Sequence, residues 1–566
     1  MKITAAFINI ALLLAIMAIA VFFRFYQLGS IPTGLYPDIA INGNNALKSL
    51  ETGDFLPFYT DNNGREGMIM WLDAISMAVF GITPLALKIP GAFFGVLTVL
   101  GIYLLASELF IRRKYAIALL ASFLLATSFW HVIFSRDGFR VVLMPFFLVF
   151  SFYFLLRAFN SRKIFPAVLG GIFFGLGFYT YTGYRLAALL LFVFLALWLF
   201  VNQKNKLPRA QGVAVFLRKS LFNLRSARFA TGWHSSPRQA DGVFCQLNKY
   251  GGYKVAAVAL VATFIIALPL GWYFLKNPGD FIGRAGQTSV FSAPQPLLEL
   301  GKSLLLHLGM FNFYGDGNWR HNYPGSPELF FPVGLFFLIG IWQAATVIFE
   351  AIKRKIIDSN AKAYLFVLLW LIIMLLPGIL TYEGVPHALR TLGAIPAVMI
   401  LAAVGGVATY DWLKSRLPKA AVAGIVISFA AAAILCAWQD YFSHWAKNNN
   451  IAGAFTSQFV EIGNLASLLN RQGWQTVIIA NENGTPVPYP NGIPMPSQTV
   501  QFIEKGNFSP SSIYLTPEKI DQIEIGKKTA IIPMKTDNSI FEKLKIIFPQ
   551  GIIKQTNNIE YYEINQ

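Results

Sequence analysis

The chain has 566 residues, of which 55% are hydrophobic and only 13% charged, with a mean hydropathy of +0.53, whereas an ordinary globular chain is about 25% charged. That balance excludes a soluble enzyme. The net charge of +18 would suggest nucleic acid in a soluble protein, but here its distribution is topological and no nucleic-acid partner is expected.

Apolar runs of about 20 residues recur along the chain, each long enough to cross a hydrocarbon core of roughly 30 Å as a helix. The expected fold is therefore mostly α, a polytopic membrane protein with eleven spans at about residues 4–24, 84–106, 115–134, 140–158, 164–182, 186–202, 254–275, 328–349, 363–380, 391–410 and 419–438. Lys2 and Ala18-Ile19-Ala20 imitate a secretory signal, but the first run continues through Val21, Phe22 and Phe23 and reads as a span. Residues 66–82 are apolar enough to be mistaken for another span. Counting them would invert every later loop, so they read as a helix in the outer interface, preceded by a short helix near residues 39–50.

With the N-terminus cytoplasmic, every inner turn is basic, including Arg112-Arg113-Lys114, Lys353-Arg354-Lys355 and the loop 203–253, whose cations face a single Asp241. That loop reads as an orientation signal that also touches anionic lipid. Residues 1–439 then form the transmembrane domain, with outer loops at 25–83 and 276–327, the second carrying an amphipathic stretch at 296–311. Residues 440–566 form a small extracytoplasmic α/β domain, with a helix near 455–472 and strands near 476–480, 529–533 and 545–548. The two cysteines, Cys245 and Cys436, make no disulfide framework.

No Walker A loop and no G-x-G-x-x-G between a strand and a helix occurs, which argues against ATP and a cytosolic nucleotide sugar. Gly171 and Gly175 form a helix-packing G-x-x-x-G. Polar residues collect instead where helices emerge on the outer side. Asp38, in Tyr36-Pro37-Asp38-Ile39, is placed either to cap the next helix or to act as general base for a hydroxyl acceptor. Glu66, in Asn63-Gly64-Arg65-Glu66, is a second catalytic candidate that would orient the acceptor or pair with Arg65.

Outer cations run against the positive-inside rule, so each asks for a partner. They are Arg136, Arg140, Arg185, Arg284, Arg320 and Arg390. Converging guanidiniums would bind a phosphate through their planar fork, and Arg136, Arg185, His387 and Arg390 are the candidates for that role. A lipid-linked sugar phosphate matches this inventory, because its leaving group departs as a stable anion that needs cations more than a proton. No H-E-x-x-H, clustered Cys/His or D-x-D pattern specifies a metal, so no cofactor is assigned and a divalent metal stays open without a motif to place it; His321 and His387 read as hydrogen-bonding residues.

The succession of Tyr36-Pro37-Asp38, Gly81 ahead of Ala86-Leu87-Lys88-Ile89-Pro90, Ser135-Arg136, Tyr181 to Arg185, and His387-Ala388-Leu389-Arg390 resembles a known layout over about residues 1–440. It is similar to bacterial GT-C glycosyltransferases related to the protein O-mannosyltransferases (glycosyltransferase family 39) and the lipid A aminoarabinose transferases. The resemblance implies an inverting transferase that uses a polyprenyl phosphate sugar, and it carries the family's first-loop catalytic aspartate onto Asp38. Many relatives place an acidic residue directly after that aspartate, where this chain has Ile39. The β-trefoil repeats of eukaryotic O-mannosyltransferases have no counterpart in residues 440–566. The expected function is transfer of a sugar from a polyprenyl phosphate donor to a glycan, lipid or protein acceptor on the outer face of the cell membrane. The alternative is a transporter or flippase of lipid-linked glycans, which should show ionisable residues near the midplane and internal repeats.

Overall fold

The computed structural model describes residues 2–200 and 237–565. Most of the basic 203–253 loop lies outside the described residues. Among those described, nine helices are long and apolar enough to cross a membrane. Each matches an expected span. The expected span at 115–134 is instead a pair, Lys114–Ala126 and Phe129–Arg136, bent by 56°, and counting the pair as one crossing makes ten. The break has a local cause: the Ser128 side chain accepts from the His131 N–H and starts a new helix, as a serine N-cap does. The expected span at 164–182 contains the apolar helix Ile164–Gly177 of 14 residues, about 21 Å long at 1.5 Å per residue.

A helix broken inside an apolar bundle leaves carbonyls that no water satisfies. Two arginines solve this reciprocally. Arg24, near the end of the helix Lys2–Phe25, donates to the carbonyls of Leu125 and Ala126 at 3.1 and 3.2 Å, where the bent pair breaks. Arg136, at the end of the bent pair, donates to the carbonyls of Phe23, Tyr26 and Ile31 at 2.9, 2.8 and 3.1 Å, where the first helix ends. Elsewhere close packing depends on small residues: a side chain at Gly171 would run into the Ala259 carbonyl, and one at Gly175 into Ile266. The G-x-x-x-G is thus a packing face.

The apolar segment after Glu66 forms the helix Met68–Phe80, whose 13 residues are too few to span, and it follows the helix Pro37–Thr52. The amphipathic stretch of the loop 276–327 is the helix Pro296–Gly309.

After the last apolar helix, Lys419–Trp438, the chain builds a five-stranded sheet in the order Ile513–Leu515, Gln475–Ile479, Lys528–Pro533, Ile559–Asn565, Ile552–Thr556. The first three strands are parallel and the last two antiparallel. Parallel strands are buried on both faces, and here Ile478 and Ile532 pack under the helix Ser457–Arg471 while Val477, Ile479 and Ile531 pack on Phe541 and Leu544. One expectation fails: residues 545–548 are not a strand but close the helix Asn538–Ile547. Asp537 caps it by accepting from the Ser539 N–H, and Ile540, Phe541 and Leu544 recur at helical spacing on the buried face. The run Ile546-Ile547-Phe548 looked β-like only because Ile546, 82% exposed, points away from the core.

Candidate active site

The loop 25–83 folds back on itself. Phe58–Tyr59 pairs antiparallel with Arg65–Glu66, and the turn between them runs through positive φ at Asn62, Asn63 and Gly64, conformations that Asn and Gly adopt most readily. The turn carries Asn62 to Asp38, whose Oδ1 accepts from the Asn62 side-chain amide at 2.7 Å. Asp38 does not cap the helix. Tyr36 holds that position without a side-chain bond, Pro37 is the first helical residue and Asp38 the second, where the positive end of the helix favours a carboxylate.

Asp38 lines a cavity of about 570 Å³ together with Arg140, Arg185, Arg320, His387 and Arg390. Four arginines from four separate segments thus line one cavity with one aspartate. Arg185 also lies over the ring of Phe281, 4.4 Å from its centre. Arg320 stacks on Tyr36 at 4.1 Å, beside the Asp38 turn. Arg390 donates to the Glu383 carbonyl at 3.2 Å.

Two predicted residues stand elsewhere. Arg136 is fully buried and does not line the cavity; its guanidinium serves the three main-chain carbonyls named above and the Tyr441 hydroxyl at 3.1 Å. Glu66 is 1% exposed and lies behind the cavity wall. Its Oε1 accepts from Thr182 at 2.9 Å and Arg185 at 3.4 Å, and its Oε2 lies 3.5 Å from Arg140. The partner expected for it, Arg65, points to the other side of the ribbon and donates to Asn42. Glu66 therefore holds two of the cavity's arginines in place. The Arg284 side chain lies outside the described residues.

His387 is held by a buried imidazole. His307 Nδ1 faces the Ser303 carbonyl at 2.8 Å and so donates, while its Nε2 accepts the His387 N–H at 3.1 Å, an assignment that leaves the ring neutral. Burial holds the His307 pKa below its ordinary value, in the same direction. The His387 ring stacks on His321 with centroids 4.9 Å apart. Asp316, 2% exposed, accepts from His321 Nδ1 at 2.9 Å and the Ala388 N–H at 2.8 Å, and lies 3.7 Å from His387 Nδ1. One ligand atom from each of Asp316, His321 and His387 falls within 4.8 Å of the others. One carboxylate and two imidazoles suit a divalent ion such as zinc. The sequence signal was the five-residue spacing of Asp316 and His321; His387 joins them only through the fold.

Known proteins share this fold. The chain superposes on two crystal structures of ArnT from Cupriavidus metallidurans, one bound to undecaprenyl phosphate and one in the apo state, with TM-scores of 0.51 at 11% and 12% identity, covering 99% of this chain and 98% of that one. The oligosaccharyltransferase of Archaeoglobus fulgidus aligns over 92% of this chain and 68% of that one at 16% identity, with a TM-score of 0.44. No curated protein matches. The chain therefore shares the fold of these ArnT structures, a bundle of membrane-spanning helices followed by a sheet-bearing domain. Residues 67–219 match the model of the dolichyl-phosphate-mannose-protein mannosyltransferase family.

Proposed function

We propose that the protein transfers a sugar from a polyprenyl phosphate donor to a hydroxyl or amine acceptor at the outer membrane face. The observation that carries this reading is the convergence of Asp38 and four arginines on one cavity. The acceptor oxygen or nitrogen attacks the anomeric carbon as its bond to the phosphate oxygen breaks. The bond electrons leave with polyprenyl phosphate, and the acceptor proton passes to the Asp38 carboxylate. Arg140, Arg185, Arg320 and Arg390 meet the charge that grows on the phosphate. His387 adds a further donor at the rim, and a divalent ion held by Asp316, His321 and His387 would supply additional positive charge. Arg140 and Arg320 take the place of Arg136 in this reading, and Glu66 becomes a positioning residue. The N-terminus would be cytoplasmic, with the cavity and residues 440–566 outside.

The buried cations a transporter would use, Arg24, Lys88 and Arg136, are each bound to main-chain carbonyls, which supports the enzyme reading. The test is release of polyprenyl phosphate from polyprenyl phosphate hexose and pentose donors by purified protein supplied with envelope extract. Release is expected from wild type and not from Asp38→Asn; equal release from both would overturn the assignment.

A further inference from the structure

A second cavity, of about 420 Å³, opens on the opposite side of the segment 312–331. It lies between the break in the bent helix pair, the start of the helix Phe331–Lys353 and the end of the helix Lys419–Trp438. Those last two helices are loosely enclosed, with 22% and 17% of their apolar windows buried, so the cleft faces lipid. Its inner part is apolar, with Leu124, Met399 and Ala433. Among the described residues, its polar part carries acids but no lysine or arginine.

Among the described residues that line the cleft there is no lysine or arginine, but there are two carboxyl groups, Glu328 and Asp440, with His444 at 3.6 Å from Asp440. Glu328 is 4% exposed. Its Oε1 accepts the Asp316 N–H at 3.0 Å, and its Oε2 has no hydrogen-bond partner. A buried polar oxygen left in that state costs stability unless something pairs with it. The walls suit a hydrocarbon chain. The head group has to present donors, and an ammonium has three and no acceptor. A head group of net negative charge would meet two acids and no cation other than His444, an arrangement that disfavours it.

We propose that this cleft binds an outer-leaflet phospholipid with an ammonium head group, its acyl chain between the apolar walls and its ammonium at Asp440. Glu328, whose Oε2 has no hydrogen-bond partner, lines the same cleft. The phosphodiester falls to His444. The site is separate from the arginine-lined cavity and takes the opposite head-group charge.

Native mass spectrometry of the full chain in detergent tests this, with phosphatidylethanolamine, phosphatidylglycerol and undecaprenyl phosphate added in turn. One phosphatidylethanolamine should be retained with a preference of about 10-fold over phosphatidylglycerol, a single decade in affinity. Ala437→Trp, which fills the cleft, should abolish that retention, and Asp440→Lys should erase or reverse the preference. Asp440 is more than half exposed, so its replacement leaves packing intact and decides the matter even if the tryptophan variant fails to fold. Equal retention of phosphatidylglycerol, or an unchanged preference in Asp440→Lys, overturns the proposal. Undecaprenyl phosphate should bind independently of both variants, so that failure here and failure of the transferase reading remain distinct.

Discussion

The two cavities share a wall and differ in charge. On one side of the segment 312–331, Arg320 and His321 face a space lined by arginines; on the other, Tyr323 and Glu328 face a cleft lined by acids. The wall itself is tied together by the Asp316 N–H donating to Glu328. A chain of net charge +18 thus lines one side of this segment with four arginines and the other with two acids, which tells a phosphate from an ammonium more sharply than total charge does. The contrast also separates two kinds of buried arginine. Arg136 and Arg140 are four residues apart, yet the first serves backbone carbonyls and the second faces the cavity.

The largest expected effect is at Asp38. If the arginine-lined cavity is where chemistry occurs, Asp38→Asn should lower kcat by about 100- to 10,000-fold, the usual contribution of a general base, with the melting temperature unchanged. Asp440→Asn, across the wall, should stay within about 2-fold of wild type, since surface changes remote from the reacting atoms cost little. Comparable losses from both variants would erase the distinction between the cavities.

Next comes the pair of arginines. Arg136→Ala strands the Phe23, Tyr26 and Ile31 carbonyls in the bundle, and should cost about 3 kcal/mol or more of stability, visible as a lower melting temperature and yield. At Arg390 the demand is different. Arg390→Lys keeps the charge but loses the bidentate fork, so kcat/KM should fall by roughly 10-fold, about 1.4 kcal/mol, mostly in kcat and with stability unchanged. Wild-type kinetics for Arg390→Lys would leave Arg140, Arg185 and Arg320 as the phosphate ligands.

These cases mark what can be read from sequence. Spans were legible because about 20 apolar residues have few alternatives, and so was the helix that starts at Pro37 and carries Asp38. Outer arginines could be identified as a set, but not sorted: whether a guanidinium meets a carbonyl or a cavity depends on where another helix breaks. Arg136 depends on the end of the first helix, more than 100 residues away, which no local pattern encodes. Asp316 was hidden for the same reason, since its meaning comes from His387 and Ala388 in a later loop. Glu66 was visible as an outer acid, but its burial behind Arg140 and Arg185 follows from the ribbon's register.

The smallest effect is expected where residues 440–566 meet the loop 25–83. The Leu35 carbonyl, three residues before Asp38, accepts from the hydroxyls of Thr456 and Thr499, each at 3.0 Å. Alongside, Asn44 donates to the Gln498 side chain at 3.0 Å, and Gly43 leaves room for the ring of Phe502. The contacts fix the turn from which Asp38 projects, although neither threonine lines its cavity. Valine is nearly isosteric with threonine but donates nothing, and each lost bond is worth about 1 kcal/mol net. The double variant Thr456→Val with Thr499→Val should lower the melting temperature by only a few degrees and reduce kcat by about 3- to 10-fold with KM unchanged, because looser placement of a base costs rate rather than binding. Serine at both positions keeps the donor and should restore kcat. A purely structural join would lose stability without this split and without rescue, and wild-type kcat in the double valine variant would show that Asp38 is held by its own helix and Asn62 alone.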